Sequence, residues 1–83
     1  MERRLRYRIL LKRARRFGVR EVPGRGKGSE RIWEREVGSR TYVATVTCHG
    51  EGYELGRGLI AQVRRRLLLD PEHGVSDHDF YDG

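Results

Sequence analysis

The chain has few of the features that define several common protein classes. Its 83 residues include one cysteine, Cys48, so no internal disulfide can form, and no paired-cysteine zinc motif occurs. No apolar stretch approaches the roughly 20 residues that span a membrane, and there is no signal-peptide core. We therefore predict a single small cytoplasmic domain over residues 1–83, with no metal centre, no small-molecule cofactor and no membrane association.

Lysine is also scarce, because arginine supplies 16 of the 18 basic residues. Residues 1–69 hold all 18 basic residues but only 7 of the 12 acidic ones, whereas residues 70–83 form an acidic segment with no lysine or arginine. A basic body indicates a polyanionic partner, most commonly nucleic acid. Arginine binds phosphate bidentately and stacks on bases, which favours RNA or DNA. A GC-rich genome would produce the same arginine bias, so composition alone leaves both interpretations open.

Hydrophobic periodicity predicts an α+β fold with the element order α-β-β-β-α. The predicted helices span residues 3–17 and 57–69, and the predicted strands span residues 19–22, 30–37 and 40–48. Gly18 is placed to cap the first helix, and the Gly38-Ser39 turn makes the last two strands an antiparallel hairpin. A short helical turn over residues 75–81 is capped by Ser76. We expect a three-stranded antiparallel sheet with two helices on one face.

A glycine-rich segment precedes the second strand and holds most of the candidate binding residues. Glycines alternate with Arg25 and Lys27, so backbone N–H groups can approach a ligand closely beside positive charge. The segment lacks the spacing of a nucleotide P-loop. The candidate RNA-binding residues are Arg25, Lys27, Gly28, Ser29 and Arg31. A solvated hairpin loop with no ligand is the alternative interpretation.

These features together resemble the HicA toxins. The resemblance rests on the element order, the Lys27-Gly28-Ser29 triplet, the Ile32-Trp33 pair and the Gly-Leu-Ile-x-x-Val start of the last helix, and it covers residues 7–81. It implies a fold similar to the double-stranded RNA-binding domain (dsRBD). It also implies a metal-independent ribonuclease that cleaves mRNA and is inhibited by a HicB-like antitoxin.

The chain departs from the family's Gly-Ser-His pattern, because Glu30 occupies the position of the catalytic histidine. A second histidine of many family members is matched by His49. The resemblance therefore implies that Glu30 acts as the base on the 2′-OH and that His49 acts as the acid. With a reference pKa of about 4.3, a glutamate suits the role of base better than that of acid. Two alternatives stay open: Glu30 as a structural carboxylate paired with an arginine, and His49 as an exposed turn residue.

Three functions remain possible at this point. The first is the ribonuclease toxin, whose antitoxin would cover the glycine-rich loop and the open face of the sheet. The second is a non-catalytic RNA-binding module or inactive relative, and the third is a small protein whose basic face docks an acidic partner. The acidic segment 70–83 is a further candidate, since it would mask the basic surface if it folded over it.

Overall fold

The computed structural model describes residues 4–23, 28–50 and 52–82. Over these ranges the fold contains three α-helices and a three-stranded antiparallel sheet. The α+β class and the three-stranded antiparallel sheet are as the sequence predicts. The elements in chain order are β1 (Leu5–Arg6), α1 (Tyr7–Arg15), β2 (Arg20–Glu21), β3 (Glu30–Val37), β4 (Arg40–Thr47), β5 (Glu54–Leu55), α2 (Arg57–Arg66), a 3₁₀ turn (Pro71–His73) and α3 (Asp77–Tyr81).

The main sheet has the strand order β2-β3-β4, and all its pairings are antiparallel. Strand β3 has the bounds predicted from the alternation of its side chains. It pairs with β4 along its whole length, from Glu30 opposite Thr47 to Val37 opposite Arg40. The turn between them needs a residue with positive φ, which Gly38 supplies at +64°. The hairpin therefore has a loop end at Glu30 and a turn end at Gly38.

A second, two-stranded sheet includes residues 5–6, where the sequence predicts the start of the first helix, so α1 begins at Tyr7 and not at residue 3. Leu5 pairs with Leu55 and Arg6 pairs with Glu54, so the segments that lead into the two long helices run side by side. The Tyr7 N–H extends this pairing with a 2.7 Å hydrogen bond to the Tyr53 carbonyl. Strands of two residues carry too little hydrophobic alternation to be detected in a sequence.

The hydrophobic core lies against one face of the β3–β4 hairpin. Trp33 and its register partner Ala44 are buried, as are Val46 and Cys48 farther along the same face. The core continues into apolar residues of α1, α2 and the C-terminal segment: Tyr7, Leu10, Leu11, Ala14, Ile60, Val63, Leu67, Leu69, Val75, Phe80 and Tyr81. We call the buried face of the hairpin the inner face and the opposite, exposed face the outer face.

Both long helices end earlier than predicted, because each closes in a Schellman-type turn. After α1, Val19 N–H donates to Ala14 and Gly18 N–H donates to Arg15, with Gly18 at φ +87° as predicted for a cap. After α2, the residue in the left-handed position is Leu68, at φ +58°. A leucine there gives no sequence signal of a helix end, so the prediction for α2 extended three residues too far.

Arg35 joins the ends of both helices to the sheet. Its Nε donates to the Phe17 carbonyl at 2.9 Å, and its NH1 donates to the carbonyls of Leu67 and Leu68 at 2.9 and 3.0 Å. A cation at the C-termini of two helices satisfies carbonyls that the helices leave unpaired and complements their dipoles. Burial lowers the pKa of Arg35. This arginine therefore stabilises the fold and is turned away from solvent partners.

The acidic segment 70–83 is docked on the domain over its described residues, up to residue 82. Ser76 caps α3 as predicted, accepting a 3.0 Å bond from the Asp79 N–H. Arg64, only 1% exposed, donates to Asp77 at 2.7 Å and to the Leu69 carbonyl at 2.8 Å. Its guanidinium also lies 4.6 Å from the centre of the Phe80 ring. This buried arginine fixes the segment to α2, so removal of the segment would expose the core.

Candidate nucleic-acid interface

The glycine-rich segment is described only at its C-terminal end. Arg25 and Lys27 lie outside the described residues. Gly28 is exposed, and its φ angle is +58°, a backbone conformation that residues with a side chain rarely adopt. The Ser29 carbonyl accepts a 2.6 Å hydrogen bond from the Cys48 N–H, which continues the hairpin pairing by one step. The loop therefore joins β3 at a rigid point of the sheet.

The two candidate catalytic residues lie at the loop end of the hairpin. Glu30 is exposed and begins β3 opposite Thr47, and His49 follows Thr47 by two residues. The His49 ring is also exposed and packs edge-on against Tyr53, with 4.7 Å between the ring centres. Register thus brings a carboxylate and an imidazole to the same end of two paired strands, next to the glycine-rich segment.

Arg31 points to the opposite side of β3 from Glu30, because successive side chains in a strand alternate between the two faces. Its guanidinium donates to the Gly28 carbonyl at 3.1 Å, and its Nε lies 3.8 Å from a carboxylate oxygen of Glu21 on β2. Of the predicted binding residues that the structure describes, Gly28 and Ser29 adjoin Glu30 along the chain, and Arg31 faces the inner side.

The outer face of the hairpin is acidic. Glu30, Glu34 and Glu36 project from it along β3, and Arg20 of β2 pairs with Glu34 through a 2.6 Å hydrogen bond from its Nε. The rest of this face is apolar or neutral and includes Val43, which is 42% exposed. The Glu34 side chain is only 13% exposed and its charge is paired with Arg20, so a polyanion laid along this face would meet the exposed carboxylates of Glu30 and Glu36. The outer face is therefore a poor surface for RNA.

Most of the exposed positive charge in the described residues lies on the helices, and Arg4, Arg6, Arg20 and Arg40 are exposed outside them. On α1 and its end, the exposed cations are Arg8, Lys12, Arg15 and Arg16; on α2 they are Arg57, Arg65 and Arg66. We call the α1 set the α1 basic surface. Within the described ranges, neither Arg8 nor Arg15 has an ion-pair partner, so both are available to an anion.

A cleft of about 360 Å³ opens between α1 and the edge of the sheet. Arg8 and Arg15 line it from the helix, and Glu21 and Arg31 line it from the strands. The remaining lining residues are Tyr7, Leu11 and Cys48, all buried. Three arginines and one glutamate give the lining a net positive charge. Cys48 follows the last residue of β4 and is buried.

A chain of hydrogen bonds sets the floor of this cleft. The Trp33 indole N–H donates to the Tyr7 hydroxyl oxygen at 2.8 Å, and the Tyr7 hydroxyl donates to Glu21. Burial raises the pKa of Tyr7 well above its usual value, and the hydrogen bond to Glu21 raises it further. Tyr7 therefore stays protonated at neutral pH, where it positions the Glu21 carboxylate and does not act as a base.

Neither Tyr7 nor Glu21 is identifiable as a site residue from the sequence. The spacing of Tyr7 with Leu10, Leu11 and Ala14 is typical of a buried helix face, which fits its ring but says nothing of its hydroxyl. Glu21 lies 14 residues away and reaches that hydroxyl only through tertiary packing. One sequence signal pointed to Glu21, because a carboxylate in a short predicted strand between Arg20 and Val22 needs a polar partner.

Among the described residues, no group of three histidine, cysteine or acidic side chains is placed to hold a metal ion. No helix in the same ranges is long and apolar enough to cross a membrane.

In comparisons with known proteins, no family model, no curated protein and no solved structure matches the chain. The resemblance to the HicA toxins therefore stays a prediction, carried by the short motifs and the element order.

Proposed function

We propose that this chain is an RNA-binding protein and, more specifically, a HicA-type toxin that cleaves mRNA without a metal. RNA binding is supported by the α1 basic surface and the positively charged cleft beside it. The proposal includes a dsRBD-like arrangement, with the sheet buried on its inner face only, and action in the cytoplasm. The acidity of the outer face directs RNA toward the helix side and the loop end of the hairpin.

The observation that carries the cleavage proposal is the register at the loop end. Glu30 pairs opposite Thr47, and His49 follows Thr47 by two residues, so both side chains lie at the same end of the hairpin as the glycine-rich segment. Metal-free cleavage needs a base for the 2′-OH proton, an acid for the leaving oxygen and cations for the charge on phosphorus. In this proposal Glu30 is the base, His49 is the acid, and Arg25, Lys27 and the Gly28-Ser29 backbone bind the phosphate.

A specific observation favours a second candidate, the non-catalytic RNA-binding module. Arg31, one of the predicted phosphate ligands, lies on the opposite side of β3 from Glu30. It bonds to the Gly28 carbonyl and lies near Glu21. Arg31 is therefore not on the same side of the strand as Glu30, and Arg25 and Lys27 would have to supply the charge stabilisation alone.

A partner that covers the loop and the outer face is also part of the proposal. A HicB-like antitoxin bound there would bury Glu30 and His49 together. Because Glu30 and Glu36 are exposed on the outer face, the complementary surface of such an antitoxin should be basic. Co-expression of the chain with the product of an adjacent gene, followed by co-purification, tests this partner directly.

Cleavage is tested with purified protein and a single-stranded message in the presence of a chelator. Glu30→Gln keeps size and hydrogen bonding but removes the base, so cleavage should fall by roughly 10²–10⁴-fold. Glu30→His restores the family's residue and should keep or raise the rate. Glu36→Gln, on the same strand and the same face, is the matched control and should cut like the parent.

The same samples separate the candidate functions through binding. If neither the parent nor Glu30→His cuts any message, yet RNA binds in a salt-sensitive way, the non-catalytic module replaces the ribonuclease. If no RNA binds at low salt, the RNA function is wrong and the interaction protein remains. If Glu30→Gln cuts like the parent, the base is elsewhere, and His49 is the next residue to replace.

A further inference from the structure

We propose that the cleft between α1 and the sheet binds a single nucleotide, with the phosphates on its two sides held by Arg8 and Arg15 and the amino group of its base held by Glu21. This inference rests on the proposed RNA-binding function and names the part of RNA that the inner side of the chain recognises. The ligand chemistry is a base with an exocyclic amino group between two phosphates. Its source is an internal nucleotide of an RNA strand or a free nucleoside bisphosphate.

The size and shape of the cleft suit a nucleotide. Its volume of about 360 Å³ lies within the range of roughly 300–1,000 Å³ typical of pockets for small organic ligands. Inorganic phosphate alone would leave most of this space unfilled. The floor is formed by buried side chains, including Leu11 and Cys48, against which the flat face of a base can pack.

The mouth of the cleft is built for phosphate. Arg8 and Arg15 are two turns apart on α1, and the helical rise of 1.5 Å per residue separates their backbones by about 10 Å. Both are exposed, and in the described part of the chain neither is engaged in an ion pair. Arginine binds a phosphate through two parallel N–H groups. Two such side chains on one rim match the two phosphates that flank a nucleotide.

Glu21 defines which part of the ligand enters deepest. Its carboxylate repels phosphate, so the base must face it. One oxygen already accepts the Tyr7 hydroxyl and lies 3.8 Å from Arg31 Nε, which fixes its orientation. A carboxylate offers about four acceptor positions, so it can accept a further hydrogen bond. The amino group of cytosine is a donor of this kind, whereas uracil presents a carbonyl oxygen at the same position.

The cleft is connected to the proposed catalytic end of the hairpin. Arg31 lines the cleft and also donates to the Gly28 carbonyl, so its guanidinium joins the cleft wall to the glycine-rich segment. Glu30 directly precedes Arg31 in β3, and its side chain lies on the other face of the strand. An RNA strand held in the cleft would thus pass the loop end of the hairpin within one residue of Glu30.

The test uses a fluorophore that the chain already contains. Trp33 is the sole tryptophan, is buried, and donates to the Tyr7 hydroxyl at the cleft floor. Its emission is followed during titration with cytidine 3′,5′-bisphosphate, uridine 3′,5′-bisphosphate and inorganic phosphate, and the titrations are repeated with hexacytidylate and hexauridylate. We expect the cytidine ligands to bind about tenfold more tightly than the uridine ligands, which one good polar contact to a base can supply.

Three variants assign the effect to the cleft. The double variant Arg8→Gln/Arg15→Gln should weaken cytidine bisphosphate about tenfold or more. Its matched control is Arg40→Gln, an exposed arginine at the turn end of the hairpin, which should bind the bisphosphate like the parent. Glu21→Gln keeps a carbonyl to accept the Tyr7 hydroxyl and adds an amide donor for uracil, so the preference for cytidine should disappear or reverse. The arginine variants alter exposed side chains, so they stay informative if Glu21→Gln fails to fold.

The outcomes separate this inference from the proposed function. Equal affinity for cytidine and uridine ligands overturns the role of Glu21. RNA binding that the double variant and Arg40→Gln affect equally overturns the cleft but leaves an RNA-binding function. Cleft-dependent binding of the bisphosphate without binding of hexacytidylate supports the nucleotide site and removes RNA as its source. Binding of inorganic phosphate as tight as the bisphosphate overturns the assignment of a nucleotide.

Discussion

The two faces of the β3–β4 hairpin carry opposite charges and do different work. On the inner face, Arg31 and Arg35 of β3 lie beside Trp33 and direct their guanidinium groups to backbone carbonyls and to the cleft. On the outer face, Glu30 and Glu36 are exposed to solvent, and Glu34 between them is paired with Arg20 of β2. Because side chains alternate between the two faces of β3, its arginines stabilise the fold on the inner face and its glutamates make the outer face acidic.

This difference changes how the arginine-rich composition is interpreted. Arg35 and Arg64 are partly or fully buried and bond to carbonyls or to Asp77, so they belong to the architecture of the domain. The arginine count therefore overstates the surface available to RNA. What remains for a polyanion in the described residues is the α1 basic surface, the exposed arginines of α2, the cleft, and the isolated exposed arginines Arg4, Arg6 and Arg40.

The largest expected effect contrasts Arg35 on the inner face with Glu36 on the outer face. Arg35→Met keeps the aliphatic stem but leaves the carbonyls of Phe17, Leu67 and Leu68 without their donor. We expect a loss of about 3 kcal/mol in the free energy of unfolding, because hydrogen bonds from a charged donor to partly buried acceptors are among the stronger ones. Glu36→Gln should change stability by less than about 0.5 kcal/mol. Chemical denaturation of both variants measures the difference.

Arg35→Lys adds a control for charge. An ammonium group cannot span carbonyls at the ends of two helices, so it should recover less than half of the loss. If Arg35→Met unfolds at the same denaturant concentration as the parent, the inner face does not depend on this arginine, and the comparison between the faces is wrong.

The parts of the fold that the sequence predicts are those with a strong local signal. Strand β3 shows regular alternation, the Gly38-Ser39 turn fixes the hairpin, and Ser76 marks the start of α3. The β1–β5 pairing was missed because backbone bonds between residues far apart in the chain create it. The end of α2 was missed because Leu68 adopts a conformation that usually requires glycine.

The candidate site was predictable only in part, for a geometric reason. Sequence proximity grouped Glu30 with Arg31, although the alternation of a strand places neighbours on opposite faces. The register that brings His49 near Glu30 follows from the predicted hairpin. The cleft cannot be predicted in this way, because it forms where α1 packs against β2 and β3, and such packing produces no periodic pattern in the sequence. Whether the acidic segment 70–83 masks the basic surface stays a prediction, best tested by charge-neutralising substitutions since deletion would remove Val75, Phe80 and Tyr81 from the core.

Tyr7 provides the next test of the inner face. Tyr7→Phe removes the acceptor of the Trp33 N–H and the donor to Glu21, and should cost about 1–3 kcal/mol at neutral pH. In the parent, the folded-state pKa of Tyr7 lies above the value of about 10 in the unfolded chain. The resulting stability is complete below pH 10 and is lost as pH rises toward the folded pKa, by up to about 1.4 kcal/mol per pH unit.

The measurement is the free energy of unfolding between pH 7 and 11 for the parent and Tyr7→Phe. The difference between them should shrink above pH 10, because only the parent carries this titration. A constant difference across that range would show that Tyr7 is not the group whose pKa is raised by folding.

A smaller effect tests which side of the hairpin faces RNA. Glu36→Lys reverses a charge at the turn end of the outer face, about 20 Å along β3 from Glu30 by the rise of a strand. At physiological ionic strength, salt largely screens the interaction between exposed charges that are more than about 8 Å apart. RNA affinity should therefore rise less than about twofold. Filter binding at that salt concentration, with Arg15→Gln as the inner-side comparison, gives the ratio. A tenfold gain from Glu36→Lys would mean that RNA lies along the outer face.

The smallest effect concerns the one ion pair that crosses the outer face between β2 and β3 in the described structure. Arg20 Nε donates to Glu34 at 2.6 Å, but the Arg20 side chain is 74% exposed, so water and salt compete with the pair. A double-mutant cycle with Arg20→Gln and Glu34→Gln should give a coupling energy of about 0.5 kcal/mol, falling further in 0.5 M salt. A coupling energy above about 2 kcal/mol would contradict this expectation. The ion pair on the outer face would then stabilise the fold about as much as the inner-face hydrogen bonds of Arg35 do.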